Sequence, residues 1–157
     1  MDKELVFGSD HAGFELKEFL ISKLNDEFNI IDLGTDSNES CDFPDYSEKV
    51  CSLIQKNSNY KGVLICSTGV GMSIAANKFK GIRAANVVDV ATAKQSVEHN
   101  NANVLCLGSK NVDKETAVKI VQSFLSSSLL MDEKYSRRIK KNRKLNRQSP
   151  DCFNPII

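Results

Sequence analysis

The sequence predicts a three-layer α/β/α domain: a five-stranded parallel sheet of Rossmann-like type between helices, with one more helix at its C-terminal end. Three observations carry this reading. Short apolar runs at 5–8, 29–33, 63–65, 82–87 and 104–108 alternate with segments whose apolar residues recur at helical spacing, the pattern of β-α units wound into a parallel sheet. No polar residue interrupts Val63-Leu64-Ile65, as a strand covered on both faces requires. No internal repeat or linker divides the 157 residues, so 1–145 reads as one domain and 146–157 as a tail.

The first strand, 5–8, ends in Ser9-Asp10-His11, and a helix opens near Gly13. Phe14, Leu16, Phe19, Leu20, Ile21 and Leu24 then fall at helical spacing up to Asn25. The second strand, 29–33, stops at Gly34-Thr35. A polar loop covers 36–42, and Phe43-Pro44 starts a helix, with proline where a missing N–H costs little. Tyr46, Val50, Leu53 and Ile54 mark the buried side of that helix. The third strand runs into Cys66, a turn from Ser67 to Gly71, and a helix over 72–78. The fourth, 82–87, precedes Asp89, which caps a helix reaching His99. The fifth, 104–108, precedes Asp113, which caps a helix to Leu125. A last, mostly basic helix is predicted over 132–145. The tail, with two prolines, reads as disordered or draped on the surface.

Composition excludes several classes. Charge is nearly balanced at +1, so nothing global calls for nucleic acid or a membrane surface. The balance hides an asymmetry: 137–147 holds seven of the 21 basic residues and no acid, and such a run is most simply a solvated face. Five cysteines, without a CxxC pair, fit free thiols in a reducing compartment rather than a disulfide framework or a zinc site. The acidic start lacks the apolar core of a signal peptide, and no apolar run approaches the length of a membrane span. The expectation is a soluble, cytoplasmic protein.

The stretch 62–78, GVLICSTGVGMSIAANK, concentrates the chemistry. Strand, glycine turn and helix in that order aim successive backbone N–H groups, and the positive end of a helix dipole, at one point. A thiol at such a point is favoured as its thiolate. Ligands of open α/β sheets sit beyond the carboxyl ends of strands, so Asp10-His11 and Cys66 to Gly71 could face one crevice. Each residue also has a plainer reading. Cys66 could be an inert buried thiol, Asp10 a helix cap, and His99 a helix-end histidine facing a dipole. Three motif readings fail. A Walker A loop needs Lys-Ser/Thr where Met72-Ser73 stands, and a dinucleotide fingerprint belongs after the first strand, where only Gly8 and Gly13 occur. A phosphatase loop of C-x5-R type would need arginine at Met72.

The segments FGSDHAGFELK (7–17), DLGT (32–35), DFPDYS (42–47), ICSTGVGMSIAANKFKGIRAA (65–85) and EHNNANVLCLGSK (98–110) resemble the ribose-5-phosphate isomerase B family. The likeness runs from about Glu4 to Leu145. It implies an aldose–ketose isomerase, converting ribose 5-phosphate to ribulose 5-phosphate in the pentose phosphate pathway through an enediolate, without cofactor or metal. A homodimer or a dimer of dimers is implied, with the site between subunits. The alternatives are an isomerase of allose or galactose 6-phosphate, or a non-catalytic sugar-phosphate-binding regulator. Retention of a base argues for an enzyme.

By the same resemblance Cys66 is the base, since the glutamate of a family subgroup stands at Met72 here. Backbone N–H groups from Ser67 through Gly69, Gly71 and Met72 to Ser73 hold the enediolate, with the Thr68 hydroxyl beside them. His99 with Asp10 opens the sugar ring, and Asn100 meets sugar hydroxyls. His11, Lys110, Lys134 and Arg138, or Arg137 in its place, hold the phosphate. The chain departs from the family at Ser67, usually glycine, at Phe43, usually a sugar-contacting tyrosine, and at Lys110 and Lys134, usually arginines.

Overall fold

A computed structural model, which describes residues 4–145, shows strands and helices in alternation, with two helices in succession at the end. The order is β1 (Glu4–Ser9), α1 (Phe14–Leu24), β2 (Asn29–Asp32), α2 (Phe43–Lys56), β3 (Lys61–Cys66), α3 (Val70–Ala76), β4 (Ala84–Asn86), α4 (Val90–Asn100), β5 (Val104–Gly108), α5 (Lys114–Ser126) and α6 (Glu133–Leu145). The tail expectation, 146–157, falls outside the described residues.

The five strands are all parallel and lie in the order β2-β1-β3-β5-β4. The chain moves outward to β2 from one side of β1 and onward to β3 from the other, so the switch point lies between β1 and β3. Burial explains why β5 lies inside β4. All five residues of β5 are buried, whereas β4 keeps only Ala84-Ala85-Asn86 of the predicted 82–87, with none of the three buried, as suits an edge.

The two sheet faces carry separate cores. Leu5, Phe7, Val63, Ile65, Leu105 and Leu107 face α1, α4 and α5 through Leu16, Leu20, Val97, Ile120 and Phe124. Val6, Leu64, Val104 and Cys106 face α2 and α3 through Val50, Cys51, Ile54, Met72 and Ala76. Each fully buried large side chain contributes about 1.5–3 kcal/mol. α6 packs on α4 and buries one residue, Ile139.

The predicted caps form. Asp89 accepts from Thr92 N at 2.7 Å and Asp113 from Thr116 N at 2.9 Å, and each also accepts the threonine hydroxyl. Both carboxyls are held below their ordinary range by these bonds. α4 ends at Asn101, the one non-glycine residue at positive φ (53°) among those described, a common stop for a helix.

Candidate active site

At the switch point the carboxyl ends of β1 and β3 are bound together, since Asp10 N donates to Ile65 O at 3.3 Å. Gly13 allows α1 to start this close, because a Cβ there would lie 2.7 Å from the Ile65 carbonyl carbon. The turn Asp10-His11 is thereby pressed against the end of β3, beside Cys66. Asp10 is buried and its Oδ1 accepts from Gly13 N at 3.1 Å, a bond that closes the turn before α1; the cap position itself is Gly13, with no side-chain bond to the helix.

Cys66 is buried, 5% exposed. Its Sγ accepts from Gly69 N at 3.2 Å. Gly69 has φ 78°, so the turn needs a glycine here. Ser67 does not take a positive φ, and a serine fits where glycine is usual. Ser67 O accepts from Lys110 N at 3.1 Å and Cys66 O from Ser109 N at 2.9 Å, which lash the turn to the end of β5.

The cradle is narrower than expected. Ser73 N donates to Gly69 O at 3.0 Å and Ser73 Oγ to Val70 O at 2.9 Å, so Ser73 spends both donors inside α3. Gly69 N is engaged by Cys66 Sγ and Val70 N faces Thr68 Oγ1 at 3.4 Å. The open donors of the first helical turn are those of Gly71 and Met72. The Met72 side chain belongs to the core, so only its backbone faces the site. Phe43 lies across Gly71, where a Cβ would come 2.9 Å from the ring. The same edge holds His11, whose Nδ1 is 3.2 Å from both Cys41 N and Cys41 O.

His99, Asn100, Lys134 and Arg138 are not at this edge. α4 runs antiparallel to the strands, and its end leads directly into β5. Lys61 Nζ, at the start of β3, donates to Ala102 O at 3.1 Å, and Gly62 N donates to Asn103 O at 3.0 Å. Gly62 pairs with Val104 and Cys66 with Gly108, so the two edges are separated by about 13 Å of strand. Within one chain His99 and Asp10 therefore do not form a pair.

At the amino edge His99 stacks on Tyr135 of α6, ring centroids 4.4 Å apart and planes 8° apart. Arg138 lies three residues after Tyr135 on the same side of the helix, whereas Arg137 is turned roughly 160° from it. The Lys134 ammonium is 3.1 Å from Asp132, which holds it above its ordinary value. A cavity of about 690 Å³ opens at this edge rather than at Cys66, lined by Arg83, Asn100, Ile139 and Arg143 among others. Burial, with the nearby Arg143 charge, lowers Arg83 from its ordinary value. Among the described residues no group of three or more His, Cys, Asp or Glu could hold a metal, and no helix is long and apolar enough to cross a membrane.

Sequence reasoning missed two contacts. Tyr135, an aromatic in an otherwise basic helix, carried a signal. Cys41, in a polar loop, carried none.

Fold and site together define a class: an α/β domain that offers a thiol and open backbone donors at its switch point, and cationic groups at the opposite edge. A family model described as Ribose/Galactose Isomerase matches residues 5–142, and the chain belongs to that family. A putative sugar phosphate isomerase of Rickettsia bellii is 44% identical over 125 residues, covering 79% of this chain and 87% of that protein. Ribose-5-phosphate isomerase B of Escherichia coli is 43% identical over 126 residues, covering 80% and 85%. Among solved structures, ribose-5-phosphate isomerase B from Mycoplasma genitalium with bound ribulose-5-phosphate matches with a TM-score of 0.86 at 39% identity, covering 93% of this chain and 97% of that one.

Proposed function

We propose that the protein interconverts ribose 5-phosphate and ribulose 5-phosphate. The observation that carries the chemistry is the Gly69 N–H on Cys66 Sγ, which readies a thiolate beside the open donors of Gly71 and Met72. The thiolate takes the proton from C2 of the open-chain aldose. The electrons move into the carbonyl, giving an enediolate whose oxygens meet the two N–H groups; the O2 proton passes to O1, and the proton taken by the thiolate returns at C1 as C2–O becomes the new carbonyl. Fixed donors at a developing oxyanion supply several kcal/mol.

The site is built from two copies. One contributes Asp10, His11, Phe43, Cys66 to Met72 and Lys110. The other brings its amino edge, with His99, Asn100, Lys134 and Arg138. His99 and Asp10 then meet across the interface to move the protons of ring opening. Val70 and Ile74 on α3 are exposed apolar residues suited to such a contact. Arg138, on the Tyr135 side of α6, grips the phosphate with paired N–H bonds, while Lys110 and Lys134 supply charge without that geometry. The free thiols Cys41, Cys51, Cys66 and Cys106 suit a reducing cytoplasm.

The test is a coupled assay comparing ribose 5-phosphate with allose and galactose 6-phosphates. Ribose 5-phosphate should give the highest kcat/KM, and Cys66→Ala should lose nearly all turnover with KM little changed. Turnover within tenfold of wild type in Cys66→Ala would remove the thiol from the mechanism.

A further inference from the structure

The peptide joining Thr68 to Gly69 is held at both ends. Its carbonyl oxygen accepts from Asn111 Nδ2 at 3.2 Å and from Asn86 Nδ2 at 3.4 Å. Its N–H donates to Cys66 Sγ at 3.2 Å. A peptide is planar with its C=O and N–H pointing in opposite directions, so fixing one fixes the other. The two amides come from separate elements, Asn86 from the end of β4 and Asn111 from the turn after β5, and they converge on one oxygen. Gly108 brings β5 close enough for this, since a Cβ there would lie 2.6 Å from the Thr68 carbonyl.

Orientation is one consequence and polarity the other. Donors on a carbonyl draw electron density toward its oxygen, which strengthens the N–H on the far side of the same amide. Here that N–H points at the sulfur. Both asparagines are exposed residues, and burial gives them no reason to form these bonds.

We propose that Asn86 and Asn111 are positioning residues: they anchor and polarise the Thr68–Gly69 peptide so that its N–H stabilises the thiolate of Cys66. This rests on the reading of Cys66 as the base. The two amides act on the Thr68 carbonyl and not on the sulfur itself. Their work is done through a peptide bond, and its effect belongs to the proton-transfer step and not to sugar binding.

The experiment follows alkylation of Cys66 by iodoacetamide across pH in the full chain, read at the Cys66 peptide by mass spectrometry. Wild type, Asn86→Ala, Asn111→Ala and the double variant are compared. The pH midpoint, unlike the rate, does not depend on how accessible the sulfur is. It should move up by about one unit in the double variant, equivalent to about tenfold less thiolate at a fixed pH below it. kcat for ribose 5-phosphate should fall by a similar factor while KM stays within twofold. Each single variant should show a smaller upward shift, and the singles carry the test if the double variant fails to fold. Midpoints equal to wild type overturn the proposal, whatever kcat does. A raised midpoint with unchanged kcat leaves the asparagines as thiolate-positioning groups and overturns instead the assignment of Cys66 as base, which Cys66→Ala tests separately.

Discussion

The thiols of this chain are not equivalent, and local environment sorts them. Burial pushes Cys51 up to about 11, and burial pushes Cys106 well above its ordinary value, so both stay protonated in mild base. Cys66 has the Gly69 N–H on its sulfur, and Cys41 is half-buried beside His11. Alkylation at pH 8 should therefore label Cys41 and Cys66 within minutes while Cys51 and Cys106 remain unmodified until the protein unfolds. Inactivation should follow Cys66 labelling and persist in a Cys41→Ser background, with substrate protecting. Labelling of Cys106 at the Cys66 rate in folded protein would show that the sheet does not exclude the reagent. That Cys66 stands between a buried strand and a glycine turn was legible in the sequence. The donor set was not legible. That Ser73 turns its N–H and hydroxyl inward follows from α3 starting at Val70, two residues earlier than the apolar pattern indicated.

Elements rather than single residues hold the two halves of the carboxyl edge in place, and Lys17 shows how. It lies in α1 but is 1% exposed, with its ammonium between Asp32 at the end of β2 and Glu18. Its stem fills the space over Gly34, where a Cβ would meet Lys17 Cδ at 2.6 Å. Asp32 in turn accepts from Gly34 N at 2.9 Å, and Thr35 N donates to Ser9 O at 3.0 Å, so the loop after β2 is tied to β1 just before Asp10. Burial alone would lower the Lys17 ammonium, but its bonds to Asp32 and Glu18 outweigh that and raise it. A raised value in the folded state means the stabilisation is complete below the unfolded value of about 10.4 and is lost as pH rises through the folded one. Lys17→Met should lower unfolding stability by about 2 kcal/mol. The deficit should be constant from pH 7 to 9 and shrink above about pH 10.5, read from urea midpoints. A deficit that instead shrinks between pH 7 and 9 would place the cause elsewhere. A second element-level prediction concerns Gly71, where a methyl would meet the Phe43 ring at 2.9 Å. Gly71→Ala should reduce kcat/KM at least tenfold, and Phe43→Leu should restore part of it. Lys17 was hidden in the sequence because a lysine at a helical position reads as solvent-facing until its partners on β2 are known.

At the scale of the whole molecule, the polarity of β-α units governs where chemistry can assemble. Every helix between parallel strands returns the chain to the amino edge, so residues at strand ends and residues at helix ends lie on opposite sides of one sheet. Asp10 and Cys66 are of the first kind, His99 and Asn100 of the second. The sequence shows both groups at element ends but does not say which edge each occupies until strand order and helix direction are combined. In the function proposed above, a single chain holds two half-sites on opposite edges of the sheet. The proposed isologous pair would repair this, because a two-fold axis that sets the amino edge of each copy against the carboxyl edge of the other builds two complete sites at once. Complementation follows from that geometry. Cys66→Ala and His99→Asn should each be nearly inactive alone. When they are mixed under conditions that allow subunit exchange, half the dimers are mixed. In each mixed dimer one site receives Cys66 from one chain and His99 from the other, and the second site receives neither. Activity should therefore rise to about one quarter of the wild-type value, at the rate of subunit exchange, and should not rise when exchange is blocked by prior crosslinking of each variant. A Cys66→Ala,His99→Asn double variant mixed with wild type supplies the control, since its mixed dimers keep no complete site: one site has Cys66 without His99 and the other has His99 without Cys66. That mixture should therefore fall to about one quarter of full activity as exchange proceeds. If the single variants stay inactive after demonstrated exchange, His99 and Cys66 do not serve one site across the interface, and the pairing of edges is wrong.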